Sequence, residues 1–301
     1  MEKINFWLSK FSCAALAICC TSCLADSGNS VTLKLNYDKY FTPHATFIIN
    51  GHPVNMMIDT GSSKGFYLQE PQLKKIQGLK KESTYYSTNI TGKRQENTEY
   101  LAASLDMNGL KLKNVTVIPF KQWGALISNT GKLPDGPVVG LDAFKDKQIM
   151  LDFVSHSFTM SDSFIHNMPV PKGFNAFTFH MSPDGMVFDV DQSGHTYHLI
   201  LDTGATASVI WRERLKQYEP KSCLLVDPKM DNEGCQATLL TIKSKTGNPQ
   251  HFGAVVVVGN FKHMGNVDGL LGNNFLRNRK VLIDFKNKKV FISDEHRNRK
   301  E

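Results

Sequence analysis

The chain has 301 residues, 41% of them apolar and 21% charged, and a net charge of +7. That length fits one large domain or two smaller ones, and with a globular apolar share and no low-complexity tract disorder is not the default reading. The basic excess gathers around residues 277–280, 286–289 and 297–300, beside apolar runs, and reads as solvated turns. No nucleic-acid module or basic stripe with interleaved aromatics accompanies it, so a nucleic-acid partner is not expected.

In chain order, residues 1–25 stand apart. Lys3 and Lys10 precede an apolar run over 11–24, and Ala25 offers a small residue before a polar stretch. This is the layout of a secretory signal peptide, too short to span a bilayer, and it predicts an exported protein, periplasmic or secreted. Cleavage after Ala25 is the first reading. Lipid attachment at Cys20 or Cys23, in a cluster that also holds Cys19, is the second and would be the only route to a membrane. The start of the first strand near Val31 leaves no room for a long inhibitory prosegment, so zymogen activation is not expected. Two lobes follow, over 26–165 and 166–301, with the boundary within 161–174, where Pro169, Pro171 and Gly173 cluster.

The two lobes carry the same long unit. In the first, apolar residues 45–49 and 54–58 flank an Asn50-Gly51 turn and lead into Asp59-Thr60-Gly61. In the second, 186–190 and 197–201 flank a turn at 192–194 and lead into Asp202-Thr203-Gly204. Asn-Gly between apolar runs predicts a hairpin. Each unit closes alike: Val138-Val139-Gly140 and Leu270-Leu271-Gly272 are each followed, twelve residues after the glycine, by Asp152 or Asp284 in an apolar strand. Both of those aspartates precede a polar turn and read as structural marks of the duplication. Between the ends lie short strand-like runs, 110–119 and 254–258 among them. Helical signal is confined to 70–76, 142–146, 212–218 and 274–278. The pattern predicts an all-β fold of two homologous closed barrels.

Asp59-Thr60-Gly61-Ser62-Ser63 and Asp202-Thr203-Gly204-Ala205-Thr206 resemble the active-site motifs of pepsin-like and retroviral-type aspartic peptidases. The paired apolar-apolar-Gly elements resemble the segment that supports the active-site loop there, and the resemblance covers residues 31–293. Short lobes and Ala205 are closer to the retroviral and bacterial single-lobe type, duplicated in one chain.

The resemblance implies that Asp59 and Asp202 are paired catalytic carboxylates sharing one proton, one acting on a water while the other hydrogen-bonds the scissile carbonyl. It implies that Thr60 and Thr203 lock the loops together, and that Gly61 and Gly204 give close approach, with Ser62, Ser63 and Thr206 in support. Ser62 can add a hydrogen bond to one carboxylate and Ala205 cannot, which predicts a pH optimum less acidic than that of pepsin. Lys64, where the family mostly has a small neutral residue, either lowers the pair's pKa or faces solvent. A flap is implied over 84–99, with a turn at 89–92 and Tyr85 or Tyr86 nearby, and a second-lobe equivalent over 232–246. The expected protein is a monomeric endopeptidase that takes extended polypeptides, needs no cofactor and cuts beside apolar side chains. The rival reading is a peptide-binding or scaffolding protein that kept the fold without turnover.

Two features remain. Cys223 and Cys235 predict a disulfide in an oxidising compartment, two buried thiols being the alternative. His195 and His198 point to opposite faces of a strand, with no third ligand at useful spacing, so no metal is expected.

Overall fold

A computed structural model describes residues 29–88, 94–122, 135–162, 169–228 and 234–296. The leader, the flap turn at 89–92, the basic run at 297–300 and the lobe boundary at 165/166 lie outside the described residues.

Each lobe begins with the hairpin its sequence prescribes. Strands Pro43–Ile49 and His52–Ile58 pair antiparallel around Asn50-Gly51. Both turn residues have positive φ, +46° and +81°, as a two-residue turn matching strand twist requires. In the second lobe Gly185–Gln192 and His195–Leu201 pair around Ser193-Gly194, with φ of +52° and +81°. Alternation then sorts the side chains: Ala45, Phe47 and Ile49 point into the core, Phe188 and Val190 likewise.

Both lobes close into six-stranded barrels. In the first, Val138–Val139 slots in parallel beside His52–Ile58 and antiparallel to Phe66–Leu68. Leu110–Pro119 and Arg94–Met107 continue the ring, and Ile49 opposite Met107 closes it. In the second, Gly269–Leu271 takes the same place between His195–Leu201 and Val209–Trp211. Gln250–Val257 and Gln236–Ile242 follow, closing on Gly185–Gln192 through Val190 and Ile242. The glycine after each inserted strand has no room for a side chain. A Cβ at Gly140 would sit 2.4 Å from the Lys64 carbonyl oxygen, and one at Gly272 would sit 2.5 Å from the Ala207 backbone.

The lobes share a third, six-stranded sheet. Gln148–Asp152 of the first lobe pairs with Lys280–Asp284 of the second, Met150 opposite Leu282 at the centre. Ser157–Ser161 and Ser30–Lys34 extend it on one side, Lys289–Ser293 and Phe174–Phe177 on the other. Its inner face packs Ile149, Phe158, Ile283 and Ile292 into a core continuous with both barrels. Asp152 and Asp284 each accept the backbone N–H three residues on, from Ser155 at 2.8 Å and Asn287 at 3.0 Å, and so shape the same turn twice. Asp152 also takes the Lys280 ammonium at 2.9 Å across the lobe boundary.

Of the four helical stretches predicted, three contain single turns: Glu70–Leu73, a 3₁₀ turn at Leu141–Phe144, and Asn273–Leu276. The fourth, 212–218, forms no helix. Its groups are bonded elsewhere, the Lys216 N–H to the Tyr197 hydroxyl and the Glu213 carboxylate to the Phe261 N–H. The expected second-lobe flap is also absent among the described residues. Gln236–Ile242 is a barrel strand with Ala237, Leu240 and Ile242 in the core, and its short partner Lys221–Ser222 meets only Gln236 and Ala237.

A Cys223–Cys235 disulfide closes that short hairpin, with Cα atoms 5.8 Å apart. Loop-closure entropy for a loop of this size is worth about 3 kcal/mol. Replacing both cysteines by serine is therefore expected to lower the unfolding free energy by that order, read by guanidinium titration. Reduction of the wild-type protein should give the same shift.

Candidate active site

The two Asp-Thr-Gly loops emerge side by side from the ends of equivalent strands. Each aspartate's N–H still belongs to the sheet, Asp59 to the Val139 carbonyl at 2.9 Å and Asp202 to that of Leu271 at 3.0 Å. The threonines then bond the loops reciprocally. The Thr60 N–H donates to Thr203 Oγ1 at 3.0 Å, and the Thr203 N–H to Thr60 Oγ1 at 3.1 Å. Each hydroxyl donates onward to the strand end of the other lobe, Thr60 to Leu201 O at 2.9 Å and Thr203 to Ile58 O at 2.6 Å. Both threonines are buried.

This lock brings the carboxyl groups of Asp59 and Asp202 within hydrogen-bonding reach of each other. Backbone amides hold each one: Gly61 N–H to Asp59 Oδ1 at 2.9 Å, and Gly204 and Ala205 N–H to Asp202 Oδ1 at 2.8 and 3.0 Å. The glycines are needed for contact between loops. A Cβ on Gly61 would lie 2.5 Å from the Asp202 carboxyl carbon, and one on Gly204 would lie 3.0 Å from Asp59 Oδ1.

Burial raises the pKa of Asp59 above the ordinary carboxylate range, against the opposing effect of the Gly61 amide. Asp202 is pushed well above it, first by burial and then by the charge of Asp59. Two adjacent carboxyls in a dry site ionise as a unit, and the first charge opposes the second.

The surrounding residues divide unequally. Ser62 is buried, and its hydroxyl makes no hydrogen bond of ordinary geometry among the described residues, although it lies against the Tyr67 hydroxyl. It does not bond the Asp59 carboxylate as the sequence suggested. Tyr67, unmarked in the sequence, stands on Phe66–Leu68 directly beyond the loop, and its hydroxyl is 3.2 Å from that of Tyr85. Tyr85 lies on Lys80–Thr88, which pairs with Arg94–Met107 to form the long first-lobe hairpin. Tyr86, one residue on, faces out: it is 55% exposed and carries Arg94 over its ring at 4.5 Å. Lys64 is half-buried and already paired. Its ammonium is 2.6 Å from Glu99 Oε2 and 4.7 Å from the Tyr85 ring centre.

Of the other support residues, Ser63 is half-buried and Thr206 is exposed. The hydroxyl that braces the second loop is Ser208, which donates to Asn274 Oδ1 at 2.8 Å and accepts the Gly272 N–H at 2.9 Å. Asn273 spans the lobes, donating to Thr203 O at 2.8 Å and Phe41 O at 3.1 Å. Two apolar clusters flank the aspartates. Met57, Tyr67, Ile118 and Val138, with Phe120, lie on the first-lobe side; Val187, Ile200 and Val267, with Met264 and Leu270, lie on the second. Among the described residues no group of three or more His, Cys, Asp or Glu could hold a metal ion. His198 instead pairs with Asp189 at 2.8 Å.

Two closed barrels contributing one Asp-Thr-Gly loop each define the fold of the aspartic peptidases. Residues 45–142 match the sequence model of the family described as aspartyl protease, a span that holds the first loop, the long hairpin and Val138-Val139-Gly140. No curated protein matches the chain. The match and the two-barrel fold support an aspartic peptidase family.

Two predictions follow from the lock and the pair. Thr203→Val removes a buried hydroxyl and strands the Thr60 N–H, which should cost about 2–4 kcal/mol in a denaturant titration. The second concerns pH. With folded-state pKa values above the unfolded ones, the native state binds protons more tightly, so stability falls as pH rises from the ordinary carboxylate value through the raised one. Asp202→Asn is expected to flatten that fall and raise the thermal midpoint at pH 7 above wild type. A variant less stable than wild type at pH 7 would contradict the raised pKa.

Proposed function

We propose that the protein is an exported aspartic endopeptidase in which Asp59 and Asp202 activate a water for attack on a peptide carbonyl. The observation that carries this reading is the pair itself: buried Asp59 and half-buried Asp202 from equivalent loops, in hydrogen-bonding reach and held by backbone amides. With one proton between them, the ionised carboxylate takes a proton from water as the oxygen attacks the carbonyl carbon. The protonated carboxyl hydrogen-bonds the carbonyl oxygen, where negative charge develops. Collapse of the tetrahedral species breaks the C–N bond, and a carboxyl proton passes to the leaving amine. No covalent enzyme intermediate forms.

The apolar clusters on either side support cleavage between two apolar side chains, the first-lobe side offering aromatic contact from Tyr67, Tyr85 and Phe120. Export is supported by the leader pattern and by the Cys223–Cys235 disulfide, which persists in an oxidising compartment. Both half-sites belong to one chain, so a monomer suffices. Cleavage after Ala25 gives a free periplasmic or secreted form, and acylation at Cys20 or Cys23 gives an anchored one.

The test is incubation with unfolded polypeptides between pH 3 and 7. Asp59→Asn and Asp202→Asn should each reduce cleavage by about 10²–10⁴-fold, the contribution of a general base or acid. Cleavage that survives either change sinks the reading. The rate should be bell-shaped in pH, since full protonation leaves no base and full ionisation no acid. Ala205→Ser adds a donor near the Asp202 carboxylate and is expected to move the acidic limb to lower pH. An unmoved limb would show that the missing hydroxyl does not set it.

A further inference from the structure

The residue that departs most from the symmetry of the site is Lys64. Its counterpart in the second lobe is Ala207: Gly140 packs on the Lys64 backbone as Gly272 packs on that of Ala207. Ala207 is buried among apolar neighbours, whereas Lys64 reaches out of its lobe core to Glu99 and Tyr85. The lobes differ in one further respect. The first has a long hairpin, and the second has Lys221–Ser222 and a disulfide in its place. The cation therefore stands where there is a hairpin to hold.

Outside the hairpin's own strands, the outer part is held by few groups, the Lys121 ammonium on the Glu96 carbonyl among them. Arg94–Met107 joins Leu110–Pro119 from Tyr100 onward, whereas the pairs Ser83–Glu99 to Thr88–Arg94 have only each other in the sheet. At the root of this free part three groups converge. The Lys64 ammonium meets Glu99 Oε2 at 2.6 Å and lies over the Tyr85 ring at 4.7 Å. The Tyr85 hydroxyl meets that of buried Tyr67 at 3.2 Å. The Lys64 and Glu99 side chains are 29% and 13% exposed, so water competes weakly for the pair. A single cation thus bonds one strand of the hairpin and presses on the aromatic ring of the other.

We infer that Lys64 is a positioning residue, clamping Tyr85 against Tyr67 beside Asp59 and so fixing the first-lobe wall against which substrate packs. Its catalytic consequence rests on the peptidase reading above; the clamp does not. Lys64→Met keeps the aliphatic stem and deletes the charge, Lys64→Arg restores the charge, and Tyr85→Leu removes the ring. The clamp predicts faster amide exchange at residues 83–87 in Lys64→Met, with 52–58 unchanged as a check on the barrel. It predicts kcat/KM lower by about tenfold in Lys64→Met, within the range of a desolvated cation–π contact. Lys64→Arg should recover to within about threefold of wild type, since a guanidinium also stacks on an aromatic face. In a Tyr85→Leu background the same Lys64→Met change should have almost no further effect on kcat/KM. The pH limbs should stay in place, because Lys64 acts on the wall and not on the aspartates. Unchanged exchange at 83–87 overturns the clamp. An equal fall in both backgrounds, or a shifted pH profile, overturns positioning through Tyr85. A wild-type protein that hydrolyses nothing overturns the peptidase reading instead, and the exchange measurement still decides the clamp.

Discussion

The site depends on four hydrogen bonds between Thr60 and Thr203 and the strand ends they reach. Each hydroxyl has one proton to give, and gives it to the opposite lobe's main chain while accepting the opposite N–H. Neither threonine has water to fall back on, because both are buried. Breaking one bond strands a partner, so the four stand or fall together. That closure holds two carboxyls against each other when both desolvation and mutual repulsion oppose it. Burial and mutual repulsion, which push both pKa values up, are what the lock must withstand.

The lobes are related by repetition, yet the site they form is not symmetric. The backbone is shared almost residue for residue: the same hairpin turn, the same inserted strand, the same glycine against the same carbonyl path. The side chains around it diverge. Ser62 faces Ala205, Lys64 faces Ala207, and a long hairpin faces a disulfide-closed stub. The first lobe carries the polar and aromatic furniture, Tyr67, Tyr85, Lys64 and Glu99, while the second presents an aliphatic wall of Val187, Ile200 and Val267. Duplication supplied the two aspartates, and the divergence gives the cleft two different sides.

What could be read from the sequence was what repeats. Asp-Thr-Gly after an apolar strand, and apolar-apolar-Gly twelve residues before a second aspartate, are local patterns, and two copies in register gave the barrels and the pair. Tyr67 carried no such signal, being one aromatic in an apolar strand whose partner lies on a hairpin 18 residues away. Lys64 showed as an oddity, but its role depends on Glu99, 35 residues on, which no local pattern connects to it. Thr206 looked equivalent to Ser63, yet the bracing falls to Ser208, which stands two residues further on, where the first lobe has Gly65. Helix spacing at 212–218 lost to a tertiary partner, since the Tyr197 hydroxyl takes the Lys216 N–H that a helix would bond internally.

The distribution of packing also says where the molecule can yield. The two barrels and the shared sheet form one core, pinned across the boundary by Met150 opposite Leu282 and by Lys280 on Asp152. A rocking of one lobe on the other would have to open that core and the threonine lock together. The outer hairpin has neither constraint. A two-stranded ribbon is marginal by itself, and this one leaves the barrel with its alternate residues facing solvent. It is tied to the lobe at its root by contacts that include Lys64 with Glu99 and Tyr85 with Tyr67. Packing is thus densest around the carboxyls and sparser along the outer hairpin. With so few anchors, the loss of one leaves the hairpin's outer part to its own two-stranded pairing.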